Sequence, residues 1–260
     1  MKCRHLIAVL MAVATAWVAR ADDINVAAAI SLKESLEAIR PQYESSSGDH
    51  LKFTLASSGQ LESQIENGAP IDLFLSAARK QVDDLKKAGK SETGTEAVVA
   101  GNAMVLIVPA SAKSAPTSFQ DLANPKFNRI AVGEPKSVPA GQYAQQVIQN
   151  LKLTDQLKGR LIYGLNVRQV LQYVQGGEVD AGMVYLSDAQ EAGQQVKVVA
   201  TADPGWHQPI EYWGVAVKGA AHEDAAKKFL AYLQTDQAHA ILKAHGFAKP
   251  ANSPTTAPAK

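Results

Sequence analysis

The stretch NVRQVLQYVQGGEVDAGMVYLSDA, residues 166–189, decides how this chain folds. Asn166 is a good N-cap, and VRQVLQYVQ behind it predicts a helix over 167–175. Ala181–Leu186 is a short apolar run, which predicts a buried strand, and a short helix is expected near 188–193. The same alternation runs outward in both directions. Further strands are expected over 24–29, 51–56, 72–76, 98–100, 104–109, 130–133, 161–163, 196–201 and 211–217. Helices are expected over 31–45, 58–67, 79–88, 140–151, 222–234 and 236–244. Such alternation implies an α/β fold of mostly parallel sheets flanked by helices. No internal repeat is visible.

Two lobes fit this pattern better than one sheet. Apolar strands flank Gly101-Asn102, where the chain is expected to cross between lobes, and 211–217 is the expected return. Lobe I then comprises 22–102 plus 212–247, and lobe II 103–211, with a disordered Pro- and Thr-rich tail over 248–260. Ligands of open α/β sheets sit outside the carboxyl ends of the strands. Two such ends facing each other form a cleft that closes by hinge motion.

The first 21 residues read as a secretory signal. Lys2 and Arg4 precede an apolar run, Leu6 to Val18, and Ala19-Arg20-Ala21 offers small residues for cleavage after Ala21. The single cysteine, Cys3, lies in that segment, so the mature chain is expected to carry no disulfide, which fits a bacterial periplasm. Without Lys2, Arg4 and Arg20 the chain has 23 basic against 25 acidic side chains, a net charge of −2. That balance argues against nucleic-acid partners and an anionic membrane surface.

Five stretches put small residues, hydroxyls or free backbone N–H groups where a strand or loop feeds a helix. They are AAAISL at 27–32, ASSGQ at 56–60, VPAGQYA at 138–144, NVRQVL at 166–171 and GMVYLSDA at 182–189. Helix starts of this kind grip anions without a cationic side chain. Ser31-Leu-Lys-Glu34 matches a capping box, either Ser57 or Ser58 can cap the next helix, and Gly59 permits close backbone approach. Pro139 suits a first helical position, leaving Ala140 and Gly141 with unobstructed N–H groups. Tyr185 ends a buried strand with a hydroxyl that can donate into a cleft. Asp188 and Glu34 lie near these motifs but not at their inner positions, which favours a fully deprotonated tetrahedral dianion.

Taken together, AAAISL, ASSGQLESQIENGAPIDLFLSA, IAVGEPKSVPAGQYA and the 166–189 stretch resemble the periplasmic molybdate-binding proteins of ABC importers, from Ile24 to about Phe247. The resemblance implies a two-lobed type II periplasmic binding protein fold. It implies oxyanion contacts at Ser31, Ser58, Ala77, Ala140, Val167 and Tyr185: hydroxyls at Ser31, Ser58 and Tyr185, backbone N–H groups at Ala77, Ala140 and Val167. It also implies molybdate or tungstate as ligand, no cofactor, a monomer, and a membrane permease with a cytoplasmic ATPase as partner. Ile30 stands where a smaller residue is usual and Asn166 where Asp is common, and neither removes a contacting group.

Other classes fit less well. None of the six His residues shows metal or nucleophile spacing, and His239 and His245 are expected to be solvated, so an enzyme has little support. A receptor for sulfate or a small organic acid is the main alternative, with Trp206, Tyr212 and Trp213 expected to be packing residues.

Overall fold

The computed structural model describes residues 21–250. The expected signal segment and most of the expected tail lie outside them. In chain order the elements are β1 (Asp23–Ala29), α1 (Lys33–Ser47), β2 (His50–Ala56), α2 (Ser58–Glu66), β3 (Leu73–Ser76), α3 (Arg79–Lys87), β4 (Ala97–Gly101) and β5 (Met104–Pro109). There follow β6 (Ile130–Gly133), α4 (Pro139–Asn150), β7 (Leu161–Gly164), α5 (Val167–Gln175), β8 (Ala181–Tyr185) and α6 (Leu186–Ala192). The chain closes with β9 (Val196–Thr201), β10 (Glu211–Ala216), α7 (Glu223–Tyr232) and α8 (Asp236–Ala244).

The strands form two five-stranded sheets, ordered β2-β1-β3-β10-β4 and β7-β6-β8-β5-β9. Each fourth strand pairs antiparallel with both neighbours, while β1, β2 and β3 pair parallel, as do β6, β7 and β8. Four of five strands in each sheet therefore point the same way. The odd strand is the one that enters from the other sheet: β5 follows β4 across, and β10 returns after β9. Both crossing strands carry a register irregularity, at Tyr212/Trp213 and at Leu106/Ile107.

Side chains alternate across the first sheet, as a period of two requires. Val26, Ala28, Leu73 and Leu75 face the side covered by Leu36, Ile39, Tyr43 and Phe229 of α1 and α7. Ala27 and Phe74 face the side covered by Leu61 and Ile65 of α2 and Val82 and Leu85 of α3. With helices on both faces the inner strands β3 and β5 are buried along their whole length, while the edge strands β2 and β9 keep exposed polar residues.

Three local expectations change. Ser31 does not cap a helix; it sits in a 3-10 turn over Ile30–Leu32, and α1 begins at Lys33 with no side-chain cap. Residues 248–250 are not loose: Ala248 exchanges two backbone hydrogen bonds with Gly101, at 2.8 and 2.9 Å, beside the crossing point. His239 is buried at 9% exposure and His245 pairs with Glu191, so neither is a solvated surface group. Among the described residues no helix is long and apolar enough to cross a membrane, and no cluster of His, Cys, Asp and Glu could hold a metal ion.

Candidate oxyanion-binding site

The carboxyl ends of β1, β2 and β3 in the first sheet face those of β6, β7 and β8 in the second. Ser31 follows β1, Ser58 follows β2, Ala77 follows β3, Ala140 follows β6, Val167 follows β7, and Tyr185 ends β8. All six are buried, none more than 4% exposed. Five of them (Ser31, Ser58, Ala77, Val167 and Tyr185) line one cavity of about 210 Å³, edge included, together with Val138 and Pro139. Ala140 is the next residue in the wall behind Pro139.

Around this cavity the donors are free to different degrees. The Tyr185 hydroxyl is buried and has no hydrogen-bond partner among the described residues. Burial raises its pKa well above the usual phenol value, so it remains a donor. Ser58 Oγ accepts from the Ala77 N–H at 3.0 Å. That N–H was expected to reach an anion directly; its single proton is spent on Ser58, which leaves the Ser58 proton to point elsewhere. Ser57 is the cap of α2, in a reciprocal box with Gln60, so Ser58 falls at the first helical position.

In the second lobe, Asn166 caps α5 by accepting from Gln169 N at 3.0 Å, so the Val167 N–H is left to the cavity. Pro139 opens α4 without an N–H of its own. Gly141 N donates to Val138 O at 2.9 Å, so it is not unobstructed as expected, whereas Ala140 N is not among the turn's bonded groups. Gly59 serves the opposite lobe: its N–H donates to Ser137 O at 3.0 Å, and a Cβ there would stand 2.6 Å from that oxygen. The two lobes touch at this point, over the cavity.

The nearby charges cancel one another. Arg168, beside Val167, meets Glu34 of the first lobe at 2.5 Å and Asp188 of its own lobe at 2.8 Å. The Asp188 side chain is fully buried, and burial pushes its carboxyl up to about 7 against the opposing pull of Arg168. The guanidinium is thus held between two carboxylates and does not line the cavity. Sequence reading passed over Arg168; its only signal was its position next to Val167 in the NVRQVL motif. Tyr212 was also missed, as a packing residue, although its hydroxyl lies 2.7 Å from Ser31 Oγ. Trp213 stacks under Arg79 at 4.7 Å and Trp206 packs edge-on to Phe119 at 6.0 Å, which fits their expected packing role. A larger groove of about 1460 Å³, edge included, lined in part by Arg79, Gln142, Gln146 and Trp213, takes in none of the six predicted residues.

Comparisons with known proteins agree with this architecture. Residues 24–248 match the family model of bacterial extracellular solute-binding proteins. The molybdate-binding protein ModA of Haemophilus influenzae is 38% identical over 231 residues, covering 86% of this chain and 89% of its own. ModA of Escherichia coli is 37% identical, covering 90% and 93%. Among solved structures, the periplasmic molybdate-binding protein of Azotobacter vinelandii superposes with a TM-score of 0.79 at 26% identity, covering 87% of this chain and 99% of that one. With two facing sheets, donors at the carboxyl ends of their strands and a family model spanning nearly the whole described chain, this protein belongs to the bacterial extracellular solute-binding proteins.

Proposed function

We propose that this protein captures molybdate, and tungstate with it, and delivers the anion to an ABC importer. One observation carries the reading: a small buried cavity between the lobes is walled by hydroxyls and first-turn N–H groups, while the one adjacent cation is sequestered by two carboxylates. A dianion with no proton needs donors only, and fixed dipoles supply them. Two of its relatives are molybdate-binding proteins, which points the same way.

In this reading Ser31, Ser58 and Tyr185 donate through hydroxyls, Ala140 and Val167 through backbone N–H groups, and Ala77 orients Ser58. Lobe I is 22–102 plus 212–247 and lobe II 103–211, with the crossings β4–β5 and β9–β10 as hinge. The protein works as a monomer outside the cytoplasmic membrane, in the periplasm, after removal of a signal segment. It binds without chemical turnover and presents its closed form to a permease driven by a cytoplasmic ATPase.

Calorimetric titration with molybdate, tungstate, sulfate and phosphate tests this. Tight one-to-one binding of the first two with far weaker sulfate is expected. Ser31→Ala and Ser58→Ala should each weaken binding by about 1.5–3 kcal/mol, as for hydrogen bonds to a charged group. Preference for sulfate or phosphate would overturn the ligand, and two Ala variants that bind like the unaltered protein would overturn the site.

A further inference from the structure

The Ser31 hydroxyl does not stand alone in the cavity wall. Tyr212 Oη lies 2.7 Å away, with Tyr212 at 0% and Ser31 at 3% exposure. Tyr212 belongs to β10, so the pair joins positions 181 residues apart. Behind Tyr212 sits Asn102, in the turn between β4 and β5. Asn102 donates through Nδ2 to Ser187 Oγ at 2.9 Å, and its Oδ1 accepts from Ala103 N at 2.9 Å. Burial raises the Tyr212 pKa, and the Asn102 side chain near its hydroxyl pulls the other way.

Counting protons gives this chain a direction. A serine and a tyrosine hydroxyl each own one proton, and an amide nitrogen owns two. A fully deprotonated oxyanion only accepts. For Ser31 to donate to it, the Ser31 oxygen must be the acceptor in its contact with Tyr212. The Tyr212 hydroxyl then gives its one proton to Ser31. Each donor faces the cavity: Tyr212 O–H to Ser31 O, Ser31 O–H to the anion.

We propose that Tyr212 is a positioning residue for anion capture, whose hydroxyl holds Ser31 as a committed donor toward the bound oxyanion. The inference rests on the reading of Ser31 as a ligand contact. Without Tyr212 the Ser31 hydroxyl rotates among several orientations, and binding has to select one of them. Because Asn102 and β10 belong to the lobe crossings, the hydroxyl is fixed where the cleft hinges, so its direction does not depend on either lobe's loops.

A double-mutant cycle tests this, with molybdate binding by calorimetry as the readout and the thermal midpoint of each variant as the control for folding. Tyr212→Phe removes only the hydroxyl and should weaken binding about tenfold, the scale of one charge-assisted hydrogen bond. Ser31→Ala should weaken it at least as much. The double variant should bind no worse than Ser31→Ala, because Tyr212 acts through Ser31. Unaltered binding by Tyr212→Phe, or losses that multiply in the double variant, would overturn the inference while leaving the site in place. Unaltered binding by Ser31→Ala would overturn both. Should Tyr212→Phe fail to fold, Asn102→Asp gives the same test. It places a carboxylate acceptor near Tyr212, which draws the phenol proton away from Ser31. It should weaken binding at least tenfold in the Ser31 background and add less on top of Ser31→Ala, and equal losses in both backgrounds would overturn the inference.

Discussion

Tyr185 ends β8 with a phenol that lines the cavity and finds no acceptor among the described residues. A buried hydroxyl left unpaired costs stability, on the order of 1–3 kcal/mol, and such a cost persists most readily where a ligand repays it. Its surroundings explain how the group is kept in place. Tyr143 and Tyr212 meet its ring edge-on at 6.4 and 5.8 Å, and Phe247 extends the cluster at 5.2 Å from Tyr212. Tyr185→Phe keeps this packing and deletes the orphan. The ligand-free variant should melt at the same temperature or higher, while molybdate binds roughly tenfold to a hundredfold more weakly. A drop in thermal midpoint with affinity intact would mean the hydroxyl is structural. Ser58 illustrates the complementary device, in which the protein fills the acceptor side of a hydroxyl, through Ala77 N, and so aims its proton outward.

Helix α2 carries a close backbone contact between the two lobes. Its capping box through Ser57 and Gln60 fixes the first turn, and Gly59 in that turn abuts the backbone of Ser137 from the other lobe. Only a residue without Cβ allows this approach, since the added atom would stand 2.6 Å from Ser137 O and 2.9 Å from its Cα. The effect is specific to the closed form, because an open cleft separates the two segments. Gly59→Ala should therefore shift the equilibrium toward the open form and weaken molybdate binding at least tenfold, about 1.4 kcal/mol, without lowering stability in the absence of ligand. Small-angle scattering with saturating molybdate should show a larger radius of gyration than for the unaltered protein. A compact, tightly binding variant would show that the lobes close by another route. A similar close fit occurs at Gly141, where a Cβ would meet Gly133 O at 2.1 Å, and there it lets α4 rest directly on β6.

Across the whole molecule, Arg168 ties together three elements from both lobes: α5, which carries it, α6 through Asp188, and α1 through Glu34. The Glu34 side chain is one-third exposed, so its share is modest. Asp188 is different, because a buried carboxylate stripped of its partner is costly, about 3–5 kcal/mol. Arg168→Met should cost less than that, about 1.4 kcal/mol at pH 8, because a carboxyl already near 7 escapes the unpaired charge by taking up a proton. The pH dependence has a definite sign. Burial holds the Asp188 carboxyl up to about 7, above its ordinary value of 3.8, and Arg168 is what pulls it down. Without Arg168 it rises further, so the folded variant takes up a proton that the unfolded chain does not. Stability is then present at low pH and lost as pH rises through the folded value. Guanidinium denaturation at pH 5 and pH 8 should show the gap from the unaltered protein closing at pH 5. An equal gap at both would mean that Asp188 does not change protonation. The same arrangement leaves anion capture at the proposed site to dipoles, since the Arg168 guanidinium is already paired with Glu34 and Asp188.

What the sequence determined by itself was local. The alternation of strands and helices follows from hydrophobic period and turn residues, and β5, β6, β9 and α8 fall where that period puts them, residue for residue. The sequence also placed Ser31, Ser58, Ala77, Val167 and Tyr185 near strand ends and helix starts, and the structure brings these five to the wall of one cavity. The tertiary structure decided everything that joins distant segments. It set the order of the sheets and reversed each fourth strand, because those strands arrive from the other lobe. It also gave both sheets the same arrangement, although no repeat shows in the sequence. It moved Ser31 from a helix cap to a partner of Tyr212, drew Ala77 N onto Ser58, and set Gly59 against Ser137. It placed Arg168 between carboxylates 134 residues upstream and 20 downstream. Burial and long-range hydrogen bonding select these partners, and neither leaves a periodic trace along the chain.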